Sequence, residues 1–413
     1  LVGKKERKIM IEKTLPNKID LAIVGAGPQA LTLIVHLLHK RPKFCDQVLV
    51  FDPSGTWLQQ WRHQLAAQDI PHLRSPAVHH PAPNPYELRK FAEKRPQELV
   101  EPYALPTTAL FADFCQDLIL KYQLTSQVYP EQVRQILPLR PHFRLLLANR
   151  QSIIARRVVL ATGSGKPNLP NWVRQIQGSY PEKRLLHSSQ VDLRSLTFTG
   201  ERLLIIGGGL SSGHLAIGAV TRGAKVDLMT RHRLQAKLFD TDPGWLGPKY
   251  LKEFMAQENL EREKMIRLAR GGGSMTPEIL HRLRHLSLER QVNLLEECVV
   301  VEAVWQENHW RVTCESGEEY FYDWIWLATG MQLNGENHPL LLDMRKHYPT
   351  EWVQGLPILD PYLRLPKSKL FIMGGLAALQ LGPTARNLSG AIKASQRIVE
   401  ALIKPSLDIV SAP

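Results

Sequence analysis

The chain is poor in the features that place a protein most quickly. Four cysteines, Cys45, Cys115, Cys298 and Cys314, are spread over 413 residues, and none forms a Cys-x-x-Cys pair. That spacing suggests neither a dithiol motif nor a disulfide framework, so a reducing, cytoplasmic compartment is the expectation. No apolar run approaches the ~18 residues of a membrane span, and no signal-peptide pattern is present, so a membrane partner is not expected. Acidic residues are outnumbered, 39 against 52 Lys and Arg, for a net charge of +13. The positive charge is scattered, which argues against a nucleic-acid surface. Its denser exception is Lys4, Lys5, Arg7 and Lys8, with Lys13 and Lys18; residues 1–17 read as a flexible basic arm. His72, His79 and His80 stand in a proline-broken stretch without a helical His-x-x-x-His, so no metal site is expected. Neither a catalytic triad nor a pair of carboxylates is apparent.

The stretch Asp20 to Leu31 is the most informative one present. Leu21 to Val24 reads as a buried parallel strand, and Leu31, Ile34, Val35 and Leu38 as the apolar face of a helix. Between them Gly25 permits a tight turn, Gly27 lets backbone approach a pyrophosphate, and Ala30 lets the helix pack on the strand. The helix, opening at Pro28 and Gln29, then points its free N–H groups and dipole at phosphates. A second strand, Gln47 to Phe51, ends at Asp52, 25 residues after Gly27. That is near the ~20 residues expected for a ribose-binding acid.

A loop with Trp57, Trp61 and His63 follows, and then the irregular stretch Asp69 to Pro81, which holds Arg74. Connections of this length inside a domain are usually functional or disordered. Residues 107–120 read as a helix capped by Thr107 or Thr108. Strand-like runs, Phe143 to Ala148 and Ser152 to Ala155, lead into Arg157 to Leu160 and then Ala161-Thr162-Gly163.

The pattern then repeats. Arg202 to Ile206 is an apolar strand, and Gly207-Gly208-Gly209-Leu210-Ser211-Ser212 is a second glycine turn opening a helix. The next strand, Lys225 to Met229, runs into Thr230-Arg231-His232-Arg233 rather than an acid, with Arg231 standing 22 residues after Gly209. Arg231 and Arg233 suit a 2′-phosphate, which points to NADP. In the variable segment 235–290, Gly271-Gly272-Gly273 reads as a flexible linker. Strands Glu297 to Trp305, His309 to Cys314 and Tyr320 to Leu327 end in Ala328-Thr329-Gly330. Last comes a strand, Lys369 to Met373, entering Gly374-Gly375. Gly382-Pro383-Thr384 is expected to open a helix through Ile392, Ile398 and Leu402, its N-terminus facing a bound cofactor.

Together these segments resemble the two-dinucleotide-domain flavoprotein monooxygenases of class B. The closest resemblance is to the branch that N-hydroxylates the side-chain amine of ornithine or lysine. Gly25 to Leu31 resembles the FAD fingerprint, and Gly207 to Ser212 the NADPH fingerprint, with serine in the third glycine's place. Ala161-Thr162-Gly163 through Pro167, Pro170 and His187-Ser188 resembles the interdomain linker. Asp323 to Gly330, followed by His338-Pro339, resembles the family's Asp-x-x-x-Leu-Ala-Thr-Gly block. The chain departs from these patterns at Gly375, where an aspartate is usual, and at Val191, where Baeyer–Villiger enzymes carry an aromatic. The missing Cys-x-x-Cys sets aside the disulfide reductases of the same fold.

The resemblance implies FAD and NADPH as cofactors, with a small-molecule substrate and molecular oxygen as partners; a homo-oligomer is left open. It puts Trp57 beside the flavin and makes Trp61, His63 and Arg74 the candidate catalytic groups. Thr162, Gly163, Thr329, Gly330, Gly374, Gly382 and Pro383 join the fingerprint residues as candidate cofactor contacts.

The expected fold is α/β, with two Rossmann-like, three-layer ββα dinucleotide-binding domains. The NADP domain, 168–322, is inserted in a discontinuous FAD domain, 18–165 and 325–413, because the C-terminal remainder is too small for its own core. The expected function is an FAD-dependent, NADPH-using monooxygenase acting on a small molecule, with N-hydroxylation of an amine as the leading reading. An NAD(P)H-dependent flavin oxidoreductase without hydroxylation, and a non-catalytic FAD-binding regulatory protein, stay open.

Overall fold

From Leu21 to Val24 every side chain of the first strand, β1 (Lys18–Val24), is buried. A strand apolar on both faces belongs inside a parallel sheet covered by helices. The computed structural model, which describes residues 15–163 and 165–407, bears this out. Residues 1–14 of the expected basic arm lie outside the described residues. The chain passes from β1 through α1 (Pro28–Lys40) into β2 (Val48–Phe51), then through α2 (Gln59–Ala67) and α3 (Thr108–Lys121). Thr107 caps α3 by accepting a hydrogen bond from the Leu110 N–H at 3.1 Å. Strands β3 (Val128–Tyr129), β4 (Val133–Leu139), β5 (His142–Leu147) and β6 (Ser152–Leu160) complete this stretch. The sheet order is β3-β2-β1-β6-β5-β4. β1 pairs in parallel with β2 on one side and β6 on the other, with Leu21 opposite both Val48 and Arg157.

The chain then crosses through β7 (Lys166–Pro167) and β8 (Leu185–His187) to a second sheet. There β9 (Arg202–Ile206), α4 (Leu210–Thr221) and β10 (Lys225–Thr230) repeat the opening unit. Helices α5 (Pro248–Ala256), α6 (Asn259–Arg270) and α7 (Pro277–Leu288) precede β11 (Val292–Glu296). β12 (Val300–Gln306), β13 (His309–Cys314) and β14 (Glu319–Tyr322) form an antiparallel three-stranded sheet. The strand expected from Glu297 to Trp305 is β12, which begins only at Val300; Glu297, with a left-handed φ of 58°, lies in the link between β11 and β12. β15 (Trp324–Leu327) returns to the parallel sheet, whose order is β8-β15-β9-β10-β11. Trp324 to Leu327 is therefore an inner strand of the second sheet, and the boundary placed at 325 falls inside it.

After β15 the chain forms β16 (Met331–Gln332), which pairs antiparallel with β7, so the segments following the two Ala-Thr-Gly runs lie side by side. β17 (Leu370–Ile372) then joins the first sheet in parallel beside β6. The last long helix is α8 (Leu388–Ile403), which starts after Asn387. It does not open at Gly382. Residues 382–387 form a turn, because Gly382 has φ 79° and closes the short helix Ala378–Leu381. Arg157, buried on β6, ties α8 in place: its guanidinium donates to the Leu402 carbonyl at 2.8 Å and pairs with Asp20.

Two packing results differ from expectation. Trp245, Phe254 on α5 and Ile266 on α6 belong to the core of the first sheet, not the second. Phe254 is fully buried, edge-on to Trp245 at 5.7 Å, a burial worth about 1.5–3 kcal/mol. Gly271 is not a linker residue but the left-handed cap of α6, with φ 53°.

Candidate dinucleotide sites

The two glycine turns are built by the same device. At the first, the Gly25 N–H donates to the Phe51 carbonyl at 2.8 Å, and a Cβ on Gly25 would lie 2.6 Å from the Ala161 oxygen. At the second, the Gly207 N–H donates to the Met229 carbonyl at 3.0 Å, and a Cβ there would lie 2.3 Å from the Ala328 oxygen. Each Ala-Thr-Gly run thus presses its alanine carbonyl on the first glycine of a turn. Both glycines also have positive φ, 101° and 142°, so a side chain is excluded twice over. The second glycines behave differently: Gly27 and Gly209, the N-caps of α1 and α4, face open space where a Cβ would be. Open space in front of a helix N-terminus is what an approaching pyrophosphate needs.

Around the first turn the expected residues converge. Asp52 accepts from the Ala26 N–H at 3.0 Å through one oxygen and from the Ser54 hydroxyl at 2.6 Å through the other, holding the carboxylate beside the turn. On α1, Gln29 donates to the carbonyls of Ala385 and Asn387, at 3.4 and 3.3 Å, which brings the 382–387 turn and Pro383 over the helix N-terminus. Gln29 Oε1 and the Thr384 hydroxyl are buried with no protein partner. Orphaned polar atoms beside an open glycine turn fit a polar ligand. Gly374, with φ 77° and open space at its Cβ, follows β17. Thr162 lies 3.3 Å from His338 Nε2, and Gly163 has φ 81°. Ala30 is fully buried against the strand.

Sequence reasoning missed Arg386. It is exposed on the 382–387 turn, with the Arg270 cation and the Asp240 carboxylate as its charged neighbours. Asp240 is itself held by Arg270 at 3.0 Å and by the Asn387 amide at 3.1 Å.

Around the second turn, Ser212 is fully buried and spends its hydroxyl on the Gly209 carbonyl at 2.7 Å, while Ser211 is half-buried. Arg231 and Arg233 project from the end of β10 into solvent; Arg233 lies 3.4 Å from Glu297. Gly273 packs on the turn, since its Cβ would lie 3.2 Å from Gly209 Cα. Gly273 is therefore part of this site's wall. Thr329 and Gly330 are fastened to the crossing chain by Asn168, whose N–H donates to the Gly330 carbonyl at 2.9 Å. His187 donates through Nε2 to the same carbonyl at 3.0 Å, and burial lowers its pKa against that bond.

The loop residues after Asp52 do not gather at one point. Trp57 is buried in the core and donates its indole N–H to the Leu124 carbonyl at 2.9 Å. Trp61 lies against Phe111 at 5.4 Å. His63 accepts from Arg194 at 3.1 Å. Arg74 donates to the carbonyls of Leu238, Ser274 and Lys237 and to the Ser274 hydroxyl. Gln68 donates to the Ser188 carbonyl at 2.9 Å, Asp69 pairs with Arg222 at 2.6 Å, and His72 reaches Glu278 at 3.4 Å. Residues 68–74 thus form a strap from the first sheet onto the second.

With this geometry in place, two family patterns match the chain. An FAD-NAD(P)-binding family covers residues 22–165. The L-lysine 6-monooxygenase/L-ornithine 5-monooxygenase family covers residues 107–332, more than half of the chain. The chain belongs to that second family. It is a flavin-dependent oxidoreductase of the monooxygenase type, with FAD and NAD(P) as its cofactors. No curated protein matches the chain. Among solved structures, the ornithine hydroxylase of Pseudomonas aeruginosa is 19% identical with a TM-score of 0.74, over 93% of this chain and 98% of that one. The ornithine N-hydroxylase of Kutzneria sp. 744 is 18% identical with a TM-score of 0.76, over 93% and 99%. The FAD-bound cadaverine monooxygenase of Erwinia amylovora is 14% identical with a TM-score of 0.74, over 94% and 95%. These likenesses show the fold. Among the described residues, no helix is long and apolar enough to cross a membrane.

Proposed function

We propose that this member of the family N-hydroxylates the primary amine of a small aliphatic substrate, using FAD, NADPH and molecular oxygen. The observation that carries the reading is the family match over residues 107–332, laid on a chain with two open glycine turns. The α1 N-terminus with Gly27 would hold the FAD pyrophosphate, Asp52 its ribose, and the 382–387 turn, with Gln29, Thr384 and Arg386, would cover it. The α4 N-terminus with Gly209 would hold the NADPH pyrophosphate, with Arg231 and Arg233 on the 2′-phosphate. When bound and reduced, FAD supplies the oxygen-activating chemistry. The chain's own share is orientation and exclusion of water. In this reading Arg74 is a positioning residue, because its guanidinium is spent on the strap, and His63 meets Arg194 through one ring nitrogen. The FAD domain is discontinuous, 18–165 joined by the chain after β15, with the NADP domain inserted.

The test is a coupled assay on purified protein with FAD, NADPH and air, offered L-ornithine, L-lysine and cadaverine in turn. The expected outcome is hydroxylamine formed in step with NADPH oxidation for one of them. NADPH oxidation that yields only hydrogen peroxide with every amine would sink the proposal in favour of a plain flavin oxidoreductase.

A further inference from the structure

Two cysteines that the sequence separates by 16 positions meet in the second sheet's outer layer. The sulfurs of Cys298 and Cys314 are 2.7 Å apart, and both are thiols. Cys314 ends β13 and is buried; Cys298, in the link between β11 and β12, is half-buried. The Met229 sulfur lies 3.9 Å from Cys298. Neither thiol has a part in the dinucleotide sites above. We propose that Cys298 and Cys314 are a peroxide-oxidisable pair whose disulfide weakens nucleotide binding at the end of β10. The coupling to nucleotide rests on the coenzyme reading above; the bond itself does not.

The geometry needs little change, since a disulfide has its sulfurs ~2.05 Å apart, so closure moves them by less than ~1 Å. The roles follow from access. Burial, and then the hydrogen bond with Cys298, push the Cys314 thiol up to about 12, so the more accessible Cys298 is the first to react. Its thiolate attacks one oxygen of hydrogen peroxide; the O–O bond breaks, leaving a sulfenic acid on Cys298, and the departing hydroxide takes up the thiol proton as water. The Cys314 sulfur then attacks the Cys298 sulfur, the S–O bond breaks, and a second water leaves with the Cys314 proton. Two thiols lose two electrons, and one peroxide becomes two waters.

The route to the nucleotide is one residue long. The Cys298 N–H donates to the Thr230 carbonyl at 3.0 Å. Thr230 ends β10, its hydroxyl donates to the His232 carbonyl at 2.6 Å, and its methyl stands 3.7 Å from the Cβ position of Gly208. Drawing Cys298 toward β13 pulls Thr230 with it and shifts Arg231 and Arg233 relative to the glycine turn.

The experiment compares the holoenzyme before and after hydrogen peroxide, and again after dithiothreitol. The expected result is a cross-linked peptide pair containing Cys298 and Cys314, about 2 Da lighter than the free thiols. NADP+ should then bind about fivefold or more weakly by calorimetry. Dithiothreitol should reverse both changes, and Cys314→Ser should show neither. A gain of about 32 Da on Cys298, with Cys314 still open to alkylation, overturns the pair. A disulfide that leaves NADP+ affinity unchanged overturns the coupling. Reduced protein that binds neither NADP+ nor NAD+ sinks the coenzyme reading and the coupling with it, while the mass measurement still decides the pair.

Discussion

The four fingerprint glycines are not equivalent, and substitutions should separate their duties. Gly27 has no atom near its Cβ position and an ordinary φ of −81°, so Gly27→Asp is compatible with the fold. Its carboxylate would occupy the pyrophosphate's place, and the expected product is folded protein without flavin, read by absorbance and thermal melting. Gly25→Ala instead meets the Ala161 oxygen in a left-handed backbone, so it should cost about 1–3 kcal/mol of stability whatever the ligand. The exposed pair Arg231 and Arg233 belongs to the same scale. Charge-assisted bonds to a 2′-phosphate are worth about 1.5–3 kcal/mol each. The double alanine variant should therefore lose roughly a hundredfold or more of its preference for NADPH over NADH, measured as a ratio of kcat/KM. An unchanged ratio would mean that these side chains only face solvent.

Among the elements, the strap of residues 68–74 is where the first and second sheets hold each other. Arg74 spends its whole fork on carbonyls and one hydroxyl of residues 237–274. A lysine cannot reproduce several directed bonds from one ammonium. Arg74→Lys and Arg74→Ala should both lower the thermal midpoint, by about 1–3 kcal/mol of stability, while flavin content stays near that of the parent. Loss of flavin at unchanged stability would instead place Arg74 at the cofactor. Helices α1 and α4 bury a second vulnerability. Burial, then nearby His39 and Lys40, holds His36 down to about 4, and burial, then His72, does the same to His214. An unfolded histidine titrates near ~6.5. Above that pH both states are neutral and the full stability is present. Between ~6.5 and ~4 the unfolded chain binds protons that the folded one refuses, so stability falls as pH falls. Thermal melts from pH 7.5 down to 5 should show this slope, and His36→Leu should flatten it.

For the molecule as a whole, the consequence is that the first sheet is incomplete without the end of the chain, and the second without β15. The first sheet receives β17 from near the C-terminus, and α8 packs on α1 and is pinned by Arg157. A fragment ending at residue 165 should therefore lack cooperative melting and carry no FAD. The second sheet needs β15 between β8 and β9, so a fragment of residues 168–327 should melt cooperatively and one of 168–322 should not. In the longer fragment α5 and α6, deprived of the first core, should be the first sites of proteolysis. A 1–165 fragment that retained stoichiometric flavin would refute the discontinuous-domain reading.

What the sequence determined by itself is everything that local signals encode. The glycine turns, their flanking strands and helices, the repeated Ala-Thr-Gly runs and a threonine cap at 107 or 108 were legible because each is specified within a dozen residues by burial period and backbone freedom. Only the tertiary structure decided where long side chains go. Trp57 turned into the core, Arg74 and His63 turned toward the second sheet, and Cys298 met Cys314. Gly271 and Gly273 proved to be cap and wall, and helices α5 and α6 joined the core of the other sheet. The physical reason is common to all of these. A side chain's direction and partner depend on contacts closed over tens to hundreds of residues, and no local periodicity records which of two apolar faces or carbonyl groups will be within reach once the chain has folded.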